Sequence, residues 1–144
     1  QKPAPPTKGQ MMELTKLGIE TTVQGPFENI VERTRAALAD NGFGILTEID
    51  TQATLKKKLG VDSPKRIILG ACNPPLAHRA LELEPSVSLL MPCNVVVTEV
   101  DKGVKVSAMN PGLMGEMLQN EELTKVAEEA VGKLQAAIER IENE

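Results

Sequence analysis

The chain has 144 residues, of which 41% are apolar and 25% charged, and sixteen basic against twenty acidic residues leave a net charge of −4. This composition is typical of one soluble globular domain. The acidic net charge argues against nucleic-acid binding, and the densest basic run, Lys56-Lys57-Lys58, is typical of the solvated face of a short helix. Two phenylalanines are the only aromatic residues, so surfaces for stacking bases are nearly absent, and no apolar run reaches the roughly 18 residues that span a membrane.

The start of the chain differs in composition from the rest. Residues 1–10 contain three prolines and two lysines, which predicts a flexible, proline-rich tether over residues 1–11 and one α+β domain over residues 12–144. The first residue is Gln1 rather than Met. This fits a mature end after a cleaved signal peptide or a removed membrane anchor, but also a cloning boundary. Attachment through the N-terminus and a cytoplasmic or periplasmic location therefore both stay open.

The first half of the domain is predicted to hold two strands and two helices. Alternating apolar residues predict strands over residues 17–23 and 43–50. The helix between them spans residues 26–41, with a proline at its start and Gly42 after its end. A shorter helix, capped by Thr51, follows the second strand. The buried side of the first helix is predicted to be Phe27, Ile30, Val31, Thr34 and Leu38, and one side of the second strand Phe43, Ile45, Thr47 and Ile49.

The second half is predicted to hold three strands and two helices. Residues 65–71 predict a strand buried on both faces, because their apolar residues are contiguous. A helix over residues 75–83 is expected to face inward with Leu76, Ala80 and Leu83. Strands over residues 94–100 and 104–109 flank a hairpin turn at Asp101-Lys102-Gly103. The last helix covers residues 121–142, with an inward stripe of Leu123, Val126, Ala127, Ala130, Val131, Leu134, Ile138 and Ile141.

This order of elements predicts the fold class. The hairpin requires at least one antiparallel pair of strands, and several helices alternate with the strands. We therefore expect a single compact α+β domain, with a mixed or largely antiparallel sheet of about five strands and helices packed on one side.

Two matched Cys-Asn pairs mark the candidate functional site. Cys72-Asn73 ends a predicted strand and precedes Pro74-Pro75, and Cys93-Asn94 follows Pro92 at the start of the next strand. Such element boundaries often place side chains in clefts. Asn73 is also a good helix N-cap. The helix that it would begin is expected to supply backbone donors and a positive dipole end, which favour a thiolate or a bound anion.

The relation between the two thiols depends on the pairing of their strands. If the strands are antiparallel neighbours, Cys72 and Cys93 meet and line one shared pocket, with Asn73 and Asn94 at its rim. If the strands are parallel, the thiols lie about 17 Å apart and cannot form a disulfide. Each cysteine could also be an ordinary buried core residue.

Two further residues belong to the candidate set. His78 lies shortly after Cys72 in the sequence and could serve as a base or ligand, although a surface role is more usual. Met91 precedes Cys93 by two residues and offers a thioether to Cu(I). The candidate ligand-binding residues are therefore Cys72, Asn73, His78, Cys93 and Asn94, and the candidate metal ligands are Cys72, Cys93 and Met91.

Three sequence segments resemble one bacterial and archaeal family. They are residues 41–56, which begin Asn-Gly-Phe-Gly-Ile-Leu-Thr-Glu-Ile-Asp, residues 70–74, which read Gly-Ala-Cys-Asn-Pro, and residues 89–97, which contain Met-Pro-Cys-Asn. Together they are similar to the domain of unknown function 302, over about residues 17–111. The resemblance implies a compact α+β domain that occurs alone or fused to others, and it implies no established activity.

Three functions fit these observations. The first is a non-enzymatic ligand-binding or accessory module, expected to be a homodimer, with a pocket around the Cys-Asn pairs. The second is a thiol-based redox, sulfur-carrier or soft-metal protein that uses Cys72 and Cys93. The third is a hydrolase or lyase that uses Cys72 with His78, and it ranks last because no partner that would orient the histidine is visible. No resident cofactor is certain, and a soft metal ion is the candidate.

Overall fold

The computed structural model describes residues 12–144, so the predicted tether over residues 1–11 lies outside the described part of the chain. The first half contains β1 (Glu13–Leu14), β2 (Gly18–Val23), α1 (Phe27–Asp40), β3 (Gly44–Asp50) and α2 (Thr51–Leu59). The second half contains β4 (Arg66–Cys72), α3 (Pro74–Leu83), a 3₁₀ helix (Pro85–Leu90), β5 (Cys93–Val100), β6 (Gly103–Met109), α4 (Gly112–Leu118) and α5 (Glu121–Glu142).

The strands form one antiparallel sheet in the order β1-β2-β6-β5-β4-β3. The predicted hairpin is confirmed: β5 and β6 are antiparallel, and their last pair, Val100 with Gly103, encloses Asp101 and Lys102. The α+β prediction is also confirmed, with six strands in the described residues rather than about five. No helix within residues 12–144 is both long and apolar enough to cross a membrane.

The main core lies between one face of the sheet and two helices. Every second residue of the central strands faces α1 and α5, as strand geometry requires. The predicted inward residues of α1 are all buried, and those of α5 are buried except for Val131, which is half-buried. This core contains, among others, Ile19, Ile30, Leu38, Leu69, Val95, Val97, Val106, Leu134 and Ile138.

A second, smaller core lies at one end of the molecule. It joins the first half of α5 to α3, α4 and the 3₁₀ helix, through Leu76, Ala80, Val87, Met114, Leu123, Val126 and Ala130. The sequence analysis predicted neither the 3₁₀ helix nor α4. Both are short and begin beside a proline, which makes their sequences resemble loops.

The two strands on the side of the predicted site differ from expectation. Ile45 pairs with Ala71, but Thr47 pairs with Gly70, because a β-bulge at Leu46 shifts the register. Thr47 and Ile49 therefore face the opposite side of the sheet from Ile45, and the prediction of one continuous face was wrong. Ile67 of β4 packs against the main core, whereas Ile68, the next residue, faces the other side of the sheet and is only half-buried, so the prediction that β4 is buried on both faces was wrong.

Local helix caps follow the sequence in one case and depart from it in another. Asn73 caps α3 as predicted, since its side chain accepts a hydrogen bond from the backbone N–H of Leu76. The cap of α2 is Asp50 rather than Thr51, because the Asp50 carboxylate accepts from the N–H of Ala53. Leu83, expected to face inward, lies at the end of α3 and is exposed.

Candidate functional site

A cavity of about 290 Å³ lies where the main core meets the smaller one. The end of β4 and the start of β5 form one wall, and α3, α4 and α5 form the others. Its lining residues are Phe43, Leu46, Ala71, Cys72, Asn73, Leu76, Ala77, Ala80, Leu81, Met91, Pro92, Cys93, Met114, Leu123, Val126, Ala127 and Ala130. The lining is almost entirely apolar.

The antiparallel pairing of β4 with β5 brings the two cysteines together. Ala71 pairs with Cys93, so Cys72, the next residue of β4, lies beside the start of β5. Both cysteines are free and half-buried, and both line the cavity. The alternative of a parallel pair with widely separated thiols is therefore wrong.

The Cys93 thiol lies in an apolar environment. Burial raises its pKa from the usual 9.0 to about 11, and the nearby Cys72 contributes in the same direction. Burial acts this way because it disfavours the charged thiolate. Cys93 is therefore a neutral S–H group at physiological pH, in contrast to the activated thiolate that a nucleophilic cysteine requires.

The two asparagines occupy different environments. Asn73 is 8% exposed and lines the cavity beside Cys72. The pair of Ala71 and Cys93 faces inward, and the next pair along the two strands is Gly70 with Asn94. Because side chains alternate between the faces of a sheet, the exposed side chain of Asn94 lies on the outer face. Asn94 was expected at the rim of the cavity, but the register places it on the opposite face.

The start of α3 does not supply the expected free backbone donors. Its first two residues are Pro74 and Pro75, which have no N–H group. The next two N–H groups are already bonded, that of Leu76 to the Asn73 side chain at 3.2 Å and that of Ala77 to the Asn73 carbonyl at 2.9 Å. The helix end therefore favours an anion much less than the sequence suggested.

His78 lies away from the cavity. Its side chain is 74% exposed, and its Nε2 is 3.6 Å from Oε1 of Glu82, one turn along α3. The cavity lining does not include it. The structure thus gives no support to a Cys72–His78 catalytic pair.

Sulfur atoms are concentrated around the cavity. Met91 lines it together with Cys72 and Cys93, and Met114 from α4 completes a set of four sulfur-containing residues. Among the described residues, no group of three or more histidines, cysteines or carboxylates could hold a metal ion. A metal in this cavity would therefore depend on the thioethers as well as the thiols.

Sequence reasoning missed the residues that create the cavity volume. Ala77, Ala80, Ala127 and Ala130 lie on facing sides of α3 and α5 and line the space between them. The pattern did identify three of these alanines as inward-facing. Their small size at helical spacing was the available sequence signal, although the same pattern is also typical of closely packed helices.

The comparisons with known proteins concern the family rather than an activity. The family model described as "Domain of unknown function DUF302" matches residues 19–141. No curated protein matches the chain. Among solved structures, the chain is similar to the uncharacterized conserved protein DUF302 from Bacillus stearothermophilus. The identity is 27% and the TM-score 0.82, over 88% of this chain and 98% of that one. With both the sequence and the fold in agreement, the chain belongs to the DUF302 family, a domain of unknown function.

Proposed function

We propose that this protein is a non-enzymatic module that binds a small, mainly apolar molecule in the cavity beside Cys72, Asn73 and Cys93. The observation that carries the proposal is the cavity itself, at about 290 Å³ with an almost wholly apolar lining. An apolar cavity of roughly 150 Å³ accommodates benzene, so this one has room for about a dozen non-hydrogen atoms. Its volume lies at the lower end of small-molecule sites.

The chemistry of the lining supports binding over catalysis. Among the described residues that line the cavity, none is a carboxylate, an imidazole, a lysine or an arginine. General acid–base catalysis uses such groups within hydrogen-bond reach of the substrate. Burial raises the pKa of the Cys93 thiol in the lining to about 11, which keeps this thiol protonated.

A cavity-filling variant tests the proposal. Tetralin, a bicyclic hydrocarbon, is titrated into the protein while backbone amide chemical shifts are followed. Ala127→Leu adds bulk inside the cavity and should abolish binding, whereas Ala136→Leu, exposed on the same helix, should leave it unchanged. Ala77→Leu fills the cavity from α3, in case Ala127→Leu does not fold. Failure of tetralin to bind the wild-type protein, or equal binding by all variants, would overturn the proposal.

A second candidate function is Cu(I) binding, because the predicted metal ligands Cys72, Cys93 and Met91 all line one cavity and offer soft sulfur donors. The same thiol pair would carry a redox or sulfur-carrier role. Binding of Cu(I) must displace the Cys93 proton, so affinity should rise with pH. Competition against a chromophoric Cu(I) chelator measures this affinity. Cys72→Ser and Cys93→Ser should each remove Cu(I) binding, and Met91→Leu should weaken Cu(I) binding. Unchanged Cu(I) affinity in both serine variants would exclude this function.

We also propose that the module is a homodimer, formed by pairing of β3 from two copies. The strand is at an edge of the sheet, and an edge strand presents unpaired backbone groups. Leu46 and Ile49 on this strand are 66% and 48% exposed. Pairing of two copies would cover both apolar side chains.

A further inference from the structure

We infer that the ligand is a neutral molecule with one carbonyl-type acceptor, which takes a hydrogen bond from the side-chain amide of Asn73. This inference rests on the proposed function, since it names the class of molecule that the same cavity would hold. A ketone or an aldehyde on a compact hydrocarbon frame has the required chemistry.

First, the cavity offers no charged partner to a ligand: its described lining residues include no carboxylate, imidazole, lysine or arginine. The start of α3 offers no free N–H group either, because of Pro74 and Pro75 and the two bonds to Asn73. A charged ligand group would therefore lose its hydration without an opposite charge in return, which is strongly unfavourable.

The second step concerns the Asn73 amide. Its Oδ1 accepts from the Leu76 N–H, and this bond determines which end of the amide carries the nitrogen. The nitrogen Nδ2 lies beside Gly42, where an added Cβ would come within 2.9 Å of it. The hydrogen bonds within residues 12–144 include none from Nδ2, and Nδ2 is not one of the fully buried side-chain atoms that lack a partner, so it is within reach of a bound molecule. We therefore expect an acceptor on the ligand to take this donor in place of solvent.

The third step is the position of this donor. Asn73 lines the cavity, as does Phe43, the residue after Gly42. Gly42 has a φ of +87°, a backbone conformation that suits glycine. Because Gly42 has no side chain, it also leaves room for the Asn73 Nδ2 atom. The amide is thus the strongest side-chain hydrogen-bond donor of the described lining, since the thiols of Cys72 and Cys93 are weak donors.

A matched pair of probes measures the contribution of this donor. Tetralin and 1-tetralone share one ring frame and differ by a ketone oxygen. We expect the wild-type protein to bind 1-tetralone about five- to tenfold more tightly, as one neutral hydrogen bond of this kind provides. In Asn73→Ser, which keeps an N-cap oxygen but lacks the amide, the two probes should bind equally. The anion 1,2,3,4-tetrahydro-1-naphthoate should not bind.

A direct readout uses the wild-type protein and does not depend on a variant that folds. The side-chain NH₂ resonances of Asn73 should move on addition of 1-tetralone and stay nearly fixed with tetralin. Asn73→Asp, which also retains the cap, serves as a second variant without the donor and should bind 1-tetralone no better than tetralin.

The outcomes separate this inference from the proposed function. Equal binding of both probes by the wild-type protein, or a ketone preference that survives in Asn73→Ser, would overturn the inference and leave the binding module intact. Tightest binding of the naphthoate would overturn the neutral class of ligand. Binding of neither neutral probe would overturn the proposed function and this inference together.

Discussion

At the scale of single residues, one buried carboxyl makes the stability depend on pH. Glu142 is 5% exposed and accepts a hydrogen bond from Thr21 Oγ1 at 2.7 Å. Burial raises its pKa above the usual 4.5, and the charge of Glu139 acts in the same direction, against the opposing effect of the Thr21 hydrogen bond. The folded state therefore holds this proton more tightly than the unfolded state. Its stabilising contribution is complete below pH 4.5 and is lost as the pH rises through the folded pKa.

Replacing Glu142 with an uncharged residue should remove this loss of stability at higher pH. Glu142→Gln keeps an acceptor for Thr21 and carries no charge, so it should raise the melting temperature at pH 7 by about 1–4 °C. The difference from wild type should shrink as the pH approaches 4. Thermal unfolding across pH 4–7 measures it, with the exposed Glu128→Gln as the control. A variant that is less stable than wild type at pH 7 would contradict the assignment.

The Cys93 thiol should react slowly at neutral pH. Its pKa is raised from 9.0 to about 11, so at pH 7–8 it has about a hundredfold less thiolate than an ordinary cysteine. In the Cys72→Ser variant, alkylation by iodoacetamide should be at least that much slower than in the unfolded chain. The rate, followed by intact mass, should increase about tenfold per pH unit up to pH 9.5. A plateau below pH 9 would show that the thiol is more acidic than expected.

At the scale of elements, β3, β4 and the segment before β5 approach closely at Gly70. A Cβ on Gly70 would overlap Oγ1 of Thr47 and come within 2.9 Å of Pro92 Cγ. This contact lies next to the bulge of β3 and to Pro92, which lines the cavity. Only glycine fits there unless the Thr47 and Pro92 side chains move, which accounts for the glycine two residues before Cys72.

Substitution at this position should disturb the strand pairing. Gly70→Ala is expected to destabilise the fold by about 1–3 kcal/mol, the usual effect of overpacking. Gly44→Ala, in the adjacent strand with no atom within 4 Å of its added Cβ, should have little effect. The double variant Thr47→Ala/Gly70→Ala should recover part of the loss, because it removes the overlapping hydroxyl. Chemical denaturation measures all three, and equal stability of Gly70→Ala and Gly44→Ala would contradict the explanation.

At the scale of the whole molecule, the open sheet leaves two edges. The short β1 forms one and the seven-residue β3 forms the other. The sequence contains apolar residues along β3 but does not state whether that strand is central or at an edge. The pairing of strands that are distant in the sequence places β3 at an edge, and this edge is the surface that two copies could share.

The homodimer is tested by light scattering after size exclusion. The wild-type protein should have twice the mass of the 15.5 kDa chain, and the double variant Leu46→Lys/Ile49→Lys should be monomeric, since lysines oppose pairing of edge strands. Leu89→Lys, at a residue of the 3₁₀ helix that is 86% exposed, should remain dimeric. A monomeric wild-type protein would overturn the dimer, and loss of the dimer in Leu89→Lys would move the interface away from β3.

Features that depend on neighbouring residues could be predicted from the amino-acid sequence. The buried stripe of α5, the hairpin after Val100 and the cap at Asn73 follow from side-chain period, turn chemistry and short-range hydrogen bonds. The family also follows from the sequence, because the three matching segments are local strings of residues. The sequence further indicated that both Cys-Asn pairs lie at element ends.

Which of those residues share a site depends on the three-dimensional fold and could not be predicted from the sequence. The pairing of β4 with β5 placed Cys72 and Cys93 on one cavity, while the same register turned Asn94 to the outer face. The bulge at Leu46 changed the faces of β3, and the alanines of α3 and α5 became cavity walls only where the two helices approach. Strand register and helix packing depend on contacts between distant segments, and these contacts determine where each side chain lies.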